Sequence, residues 1–292
     1  MLNALSIATG IMKFLKDFML ISIACIWSGS SGYTQSLNSA SNNNLSITID
    51  SKVLKEKCKA WVGLPENYKT STEKYPVVYI LDGETFFTYT AGIASQMSLS
   101  GNIPRCIVIG VTSHNRQRDF TTPVDKDAGQ NNDINTSGGA NTFLDYLEKE
   151  LIPSVERNYR TTPYRIIIGH SLGGVLVYHA FYSKPQLFQA YISIDGSLWW
   201  NKGRVGKSVI SYITSHPTIR GKIFECRKDI TQPVHFPVNL ELLDYLKKYH
   251  PALLEYTYLE LKNENHATIV YPGIQNGLKD VFTSYNYRSS KK

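Results

Sequence analysis

A serine lies at the centre of the strongest chemical motif in this chain. Residues 165–168 form an apolar run, residues 169–173 read G-H-S-L-G, and an apolar, helix-like stretch follows. This order places Ser171 on a sharp turn between a strand and a helix, where the flanking glycines leave room for a crowded bend. The backbone N–H of Leu172 would then lie at a helix N-terminus, which favours an oxyanion. The pattern predicts a nucleophilic serine.

A serine hydroxyl needs a base to take its proton, and histidine suits this role because its pKa lies near working pH. Of the seven histidines, His266 alone follows the last predicted strand and precedes a C-terminal helical stretch, residues 273–285. That is the chain order of a serine–acid–histidine hydrolase. His266 is therefore the predicted base. His170 is assigned to the serine motif and His179 to the helix after it. The remaining histidines are assigned to surface positions in loops or at element ends: His114, His216, His235 and His250.

The acid that orients His266 is expected between Ser171 and His266. Asp229, just after the predicted strand 222–226, is preferred. Glu225 on that strand and Asp195 at the end of the preceding strand are alternatives, because the direction of a side chain at a strand end cannot be read from sequence.

A second oxyanion donor is expected from the loop after the third strand. Residues 81–85 read L-D-G-E-T, and Gly83 lets the backbone approach a ligand closely, with Glu84 beside it. An ordinary turn explains this loop equally well.

Trp199 and Trp200 follow a strand end, where pockets form in open α/β sheets, and are candidate substrate contacts. Core packing is expected for at least one of the two tryptophans.

Short apolar runs that alternate with longer helical patterns surround these residues, which predicts a mostly parallel sheet with helices on both faces. A helix over residues 140–159 has an apolar face and a kink at Pro153. Residues 114–139 lack periodicity, and this long loop is equally well explained as a binding element or as a floppy insertion. Eight strands are predicted, at residues 45–50, 58–64, 77–81, 106–111, 165–168, 190–194, 222–226 and 256–261.

Composition and charge exclude several classes of protein. The chain has 292 residues, 42% of them hydrophobic and 19% charged, which argues against disorder and against a coiled coil. The net charge of +7 is scattered, so no nucleic-acid partner is expected, and no apolar run reaches the 18 residues that a spanning helix needs. No metal-binding or nucleotide-binding motif is found, so no cofactor is expected.

The N-terminus is typical of an exported protein. Residues 1–34 are predicted to be a signal peptide, residues 35–44 a polar tether, and residues 45–292 the folded domain. A periplasmic or extracellular location follows, with a lipoprotein anchor through Cys25 as the less favoured alternative. The remaining cysteines can form at most one bridge: Cys58, Cys106 and Cys226.

Several motifs in order resemble the "Putative esterase" family of α/β-hydrolases, which includes esterase D and the ferric enterobactin and salmochelin esterases. The resemblance runs from Tyr75 to the C-terminus and rests on Y-P-V-V-Y-I-L-D-G-E at 75–84, R-D-F-T at 118–121, G-H-S-L-G-G at 169–174, S-L-W-W at 197–200 and N-E-N-H at 263–266. It implies an eight-stranded α/β-hydrolase fold with Ser171 as nucleophile, His266 as base and residues 83–84 and 172 at the oxyanion. Relatives often carry the acid in a glycine-containing turn after the seventh strand, whereas residues 227–231 read R-K-D-I-T.

The expected function is a secreted serine carboxylesterase that acts on a small-molecule or carbohydrate ester. One alternative is a siderophore trilactone esterase, in which Arg116, Arg118 and nearby lysines would meet an anionic iron complex. A second is a non-catalytic extracellular binding module, since fold alone does not fix function. Acyl transfer to an acceptor alcohol would use the same residues and would differ only in whether water is excluded.

Overall fold

The structure is a computed structural model that describes residues 45–125, 136–228, 238–249 and 251–285. The predicted signal peptide and tether lie outside these residues, as does Asp229. Eight strands form one sheet: β1 Leu45–Asp50, β2 Lys57–Gly63, β3 Tyr75–Leu81, β4 Ile107–Val111, β5 Thr161–His170, β6 Ala190–Ile194, β7 Gly221–Lys228 and β8 Leu254–Leu261.

Helices connect most of these strands. Their bounds are α1 Gly83–Leu99, α2 Arg116–Phe120, α3 Ala140–Tyr146, a π-helical turn Leu147–Leu151, α4 Ile152–Asn158, α5 Leu172–Ser183, α6 Trp200–Ser215, α7 Val238–Lys248 and α8 Val270–Val281. Within the described ranges, the predicted α/β class and the eight predicted strands are confirmed.

The strand order across the sheet is β1-β2-β4-β3-β5-β6-β7-β8. The pairs β1–β2 and β2–β4 are antiparallel, and every other pair is parallel. The parallel strands therefore carry their carboxyl ends to one edge of the sheet, where open α/β folds bind ligands.

The central strands of the sheet are buried on both faces, which explains why they are continuous apolar runs. All seven residues of β3 are buried. Helices α3 to α7 pack on one face, and α1 and α8 pack on the other. Burying one large aliphatic side chain contributes about 1.5–3 kcal/mol, so the central strands form a rigid base for residues at their ends.

The predicted helix is present and contains a π-helical turn just before Pro153. Residues 140–158 run as α3, the π-helical turn and α4, and Pro153 is among the first residues of α4. Proline has no N–H to donate to the preceding turn, and the wider π turn just before it accommodates that loss.

Helix α2 was missed by the sequence analysis, which placed it in an aperiodic loop. Asn115 caps this helix, and its side chain accepts a hydrogen bond from the Arg118 N–H at 3.0 Å. The helix has only five residues, so it is too short for a hydrophobic period to mark it.

Two other findings bear on the sequence expectations. Cys58, Cys106 and Cys226 are buried free thiols. Across the part of the chain that the structure describes, no helix is both long and apolar enough to cross a bilayer.

His179 on α5 is a buried neutral histidine, and its environment predicts a pH-dependent stability. Its Nε2–H donates to Asn141 Oδ1 at 2.7 Å and its Nδ1 accepts from the Tyr182 hydroxyl at 2.6 Å. Burial lowers the pKa of His179 to about 4. Unfolded histidine takes up a proton near pH 6.5, so in the window from about 6.5 down to 4 the unfolded state binds more protons than the folded state.

The free energy of unfolding is therefore expected to fall by up to about 3 kcal/mol from this residue alone as the pH drops from 7 to 4. Urea unfolding of wild type and His179→Gln across this range measures it, because the variant keeps an amide donor and does not titrate. The two stability curves should converge toward pH 4. Parallel curves would contradict the assignment.

Candidate active site

Ser171 lies between β5 and α5 in a strained backbone conformation, with φ of 59° and ψ of −119°. A Cβ atom at residue 169 would lie 2.3 Å from the carbonyl carbon of Gly173, so only glycine fits at position 169. Non-glycine residues adopt such positive φ values only where the surroundings impose them, and such strain concentrates at functional sites. The predicted strand–turn–helix context of Ser171 is confirmed.

His266 reaches Ser171 from the loop between β8 and α8. Its Nε2 lies 3.1 Å from Ser171 Oγ. The loop is held by Asn265, whose side-chain oxygen accepts from the N–H groups of Ala267 at 2.8 Å and Thr268 at 3.0 Å. The structure thus brings the predicted nucleophile and base together across 95 residues of chain.

Asp195, at the end of β6, occupies the other side of the imidazole. Its Oδ2 accepts from His266 Nδ1 at 2.6 Å. Burial would raise the pKa of Asp195, but the hydrogen bond from His266 and the nearby Arg227 guanidinium hold it below its ordinary value. An ionised carboxylate at Nδ1 keeps the proton there, so Nε2 is free to accept the serine proton.

Glu225, one of the two other candidate acids, has different partners in the structure. Glu225 is fully buried and accepts from the Tyr178 hydroxyl at 3.0 Å and from Arg227 Nη1 at 2.7 Å. Asp229, the preferred acid, lies outside the described residues. His266 has one Nδ1, and Asp195 already accepts its proton, so we replace Asp229 by Asp195 as the candidate acid.

Arg227 connects Glu225 with Asp195. Its Nη2 donates to the Gly196 carbonyl at 3.3 Å and lies 3.9 Å from Asp195 Oδ1. Ile194 pairs with Cys226 in the parallel ladder, so the residues that follow, Asp195 and Arg227, are neighbours at the edge of the sheet. This buried cation compensates two carboxylates in a region of low dielectric.

The predicted oxyanion donors lie at two helix N-termini. Leu172 is the first residue of α5, and Gly83 and Glu84 begin α1. The first N–H groups of a helix have no carbonyl partner within it, so they are available to an anion. A Cβ at Gly83 would lie 2.4 Å from the Gly110 carbonyl carbon, which explains the glycine here.

The loop before α1 is fixed by an ion pair that the sequence analysis did not find. Arg116 Nε and Nη2 donate to the two carboxylate oxygens of Asp82 at 2.8 and 3.0 Å. Asp82 has a φ of 51°, and its Oδ2 lies 3.6 Å from where a Cβ of Gly173 would be. The Asp82 turn therefore lies against the first turn of α5, and the bidentate pair holds it there.

Among the predicted substrate contacts, only Trp199 stays a candidate. Trp200 is 3% exposed and belongs to the core. Arg118 is bound by Asp119 at 2.6 Å and by Glu56 at 2.8 Å, and these carboxylates already compensate its charge. Trp199 is half-buried beside Trp200, with ring centroids 6.1 Å apart.

His170, which sequence analysis assigned to the serine motif only, supports the base. Its Nε2–H donates to the His266 carbonyl at 2.7 Å, and the two rings are 4.6 Å apart. Burial and the neighbouring His266 lower the pKa of His170, which favours its neutral form. A carbonyl oxygen can only accept, so this hydrogen bond fixes the tautomer with the proton on Nε2.

Loss of this hydrogen bond should loosen the His266 loop. For His170→Phe we expect kcat to fall about tenfold with KM nearly unchanged, because a small misplacement of the base slows proton transfer. Steady-state kinetics on p-nitrophenyl butyrate measure the effect. His170→Gln keeps an N–H donor and should recover most of the rate, whereas a wild-type kcat in His170→Phe would show that the contact is unimportant.

A strained serine after a central strand, a histidine after the last strand and a buried aspartate between them define the site of an α/β-hydrolase-type serine hydrolase. Comparison with known proteins agrees with this class. The family model described as "Putative esterase" matches residues 51–222, and the chain belongs to this family.

Three relatives show where the similarity lies. The ferri-bacillibactin esterase BesA of Bacillus subtilis is 35% identical over 155 residues, covering 48% of this chain and 54% of that protein. The siderophore triacetylfusarinine C esterase of Aspergillus fumigatus is 30% identical over 152 residues, covering 47% and 49%. The crystal structure of an IroE-like serine hydrolase from Shewanella oneidensis is 30% identical with a TM-score of 0.75, covering 82% of this chain and 80% of that one. The chain thus spans about half the length of the two curated relatives.

Proposed function

We propose that this protein is a serine esterase that hydrolyses an ester bond of a siderophore, with Ser171 as nucleophile, His266 as base and Asp195 as the orienting acid. The observation that carries the proposal is the continuous hydrogen-bonded series from Asp195 Oδ2 through His266 to Ser171 Oγ, at 2.6 and 3.1 Å. Nucleophile, base and orienting group within hydrogen-bond reach are the arrangement of covalent ester catalysis.

The reaction follows from this geometry. Ser171 Oγ attacks the ester carbonyl carbon as its proton moves to His266 Nε2, and the negative oxygen lies near the N–H groups of Leu172 and residues 83–84. The carbon–oxygen bond to the alcohol then breaks, and His266 returns the proton to the departing oxygen. Water attacks the acyl-enzyme with His266 again as base, which releases the acid and restores the serine.

Access to the site supports a bulky substrate. The His266 side chain is 48% exposed, although its partner Asp195 is buried. Between β6 and β7 the structure has only α6 and its short connections, so no inserted lid domain covers the site from this segment. An iron–siderophore complex is larger than a simple ester, and such a substrate needs an open approach to the serine.

The relatives' names supply the substrate class. Two curated relatives are named as siderophore esterases, and their matches cover 48% and 47% of this chain. Hydrolysis of a simple carboxylic ester by the same residues is the broader form of the proposal.

The test is hydrolysis of a trilactone siderophore, ferric enterobactin, with the iron-free trilactone and a p-nitrophenyl ester series in parallel. Ring opening detected by mass spectrometry, absent with Ser171→Ala, would support the proposal. Turnover of aryl esters without ring opening of the siderophore would show that the protein is a carboxylesterase with a different substrate. Binding of the siderophore without hydrolysis of any ester would indicate a binding module instead.

A further inference from the structure

Ser197 brings a second hydroxyl to the nucleophile. Its Oγ lies 3.3 Å from Ser171 Oγ, and its backbone N–H donates to the Ser171 carbonyl at 3.0 Å. The residue is 5% exposed. Asp195 stands two residues earlier, so one turn, residues 195–197, carries both the carboxylate that contacts the base and a hydroxyl that contacts the nucleophile.

This turn packs closely against the segment from Ser171 to Gly174, and glycines lie at the contact. A Cβ at Gly174 would lie 2.6 Å from Gly196 Cα, and a Cβ at Gly196 would lie 2.8 Å from Ser193 Oγ. A side chain at Gly174 would force the two segments apart, whereas one at Gly196 would meet the Ser193 side chain on β6. The close contact between the two serine hydroxyls is therefore set by backbone packing rather than by a chance rotamer.

The direction of the hydrogen bond between Ser197 and Ser171 follows from which hydroxyl still has a proton to donate. Ser171 has one hydroxyl proton, and His266 Nε2 accepts it when the serine attacks. Ser197 must then be the donor between the two hydroxyls. At 3.3 Å the bond is longer than usual for two hydroxyl oxygens, so it contributes little in the resting state. Hydrogen bonds to an oxygen that gains negative charge shorten and strengthen.

We propose that Ser197 is a further catalytic residue, which donates a hydrogen bond to Ser171 Oγ while that oxygen carries developing negative charge. The inference rests on the proposed esterase function. During acylation the Ser171 Oγ–carbon bond forms, the bond to the alcohol breaks, and His266 carries the only transferred proton. Ser197 keeps its own proton throughout. During deacylation Ser171 Oγ is the leaving oxygen, so the same donor assists its departure.

The experiment measures the rate at which a fluorophosphonate modifies Ser171, together with kcat and KM on p-nitrophenyl butyrate. The variants are Ser197→Ala and a matched control, Ser193→Ala, which also removes a buried serine hydroxyl next to the same two glycines. Modification forms the Ser171 Oγ–phosphorus bond and expels fluoride, so its rate reports the nucleophilicity of Ser171 directly.

For Ser197→Ala we expect phosphonylation and kcat to fall by about tenfold to a hundredfold with KM within about twofold of wild type. Ser193→Ala should keep the wild-type rates. A Ser197→Ala rate equal to wild type, or equal slowing in both variants, would overturn the inference while the esterase proposal stands. Absence of modification in the wild-type protein would instead count against the esterase function itself, and with it against a catalytic role for Ser197.

Discussion

Replacing Asp195 by Asn should lower kcat by about 10³- to 10⁴-fold while the fold stays intact. The carboxylate now accepts from His266 Nδ1 at 2.6 Å. An amide can present its NH₂ group to Nδ1 instead, which favours the tautomer with the proton on Nε2. His266 could then no longer accept the Ser171 proton. Steady-state kinetics on p-nitrophenyl butyrate, with circular dichroism to verify folding, measure the effect.

Asp229→Asn provides the comparison, because Asp229 is the acid that the sequence favours. If Asp195 orients the base, the Asp229 variant should keep kcat within a few-fold of wild type. A large loss in Asp229→Asn together with a wild-type rate in Asp195→Asn would reverse the assignment.

Removal of Arg227 is expected to cost about 3–5 kcal/mol in the free energy of unfolding. In Arg227→Met the buried Glu225 carboxylate would lose its 2.7 Å partner and Asp195 its nearby cation. Burial already raises the pKa of Glu225 despite the Arg227 charge, and the Tyr178 hydroxyl that would remain beside the carboxylate carries no charge. Urea unfolding followed by tryptophan fluorescence at pH 7 measures the loss.

The double variant Glu225→Gln/Arg227→Met separates charge from packing. Both charges leave together, so most of the lost stability should return. A single Arg227→Met variant that loses less than about 1 kcal/mol would show that the buried pair contributes little. Equal losses in the single and double variants would attribute the effect to packing.

The nucleophile and the base could be predicted from sequence because each is marked by a local pattern. Ser171 is marked by glycines at fixed offsets between an apolar strand and a helix, and His266 is the histidine that follows the last strand. The central strands were predictable for a similar reason, since strands covered on both faces need continuous apolar runs. Strand ends were less well predicted: β5 runs over Thr161–His170, where the apolar pattern marked only residues 165–168.

The acid could not be chosen from sequence because Asp195 and Glu225 lie on neighbouring parallel strands or just past their ends, and both are buried. Strands β6 and β7 are parallel neighbours, and their register brings Asp195 opposite Arg227. Glu225 points into the face that packs against Tyr178 of α5, whereas Asp195 lies past the strand end with a φ of 43°. Only the register and the backbone turn decide which carboxylate reaches His266.

Supporting residues escaped notice because their partners are distant in the chain. The His170 ring contacts a carbonyl 96 positions later, and Ser197 contacts a hydroxyl 26 positions earlier. The core position of Trp200 agrees with the expectation that at least one of the two tryptophans packs inward, but the sequence did not indicate which one. Side-chain direction after a strand depends on tertiary packing, which periodicity does not encode.

Fluorophosphonate modification of the wild-type protein, followed by peptide mass spectrometry, tests directly whether Ser171 is an activated nucleophile, with Ser171→Ala as control. We expect one phosphonyl group per chain on Ser171, and none on the variant. A folded wild-type protein that is not modified, or that is modified at another residue, would contradict the claim that Ser171, His266 and Asp195 form a working catalytic triad.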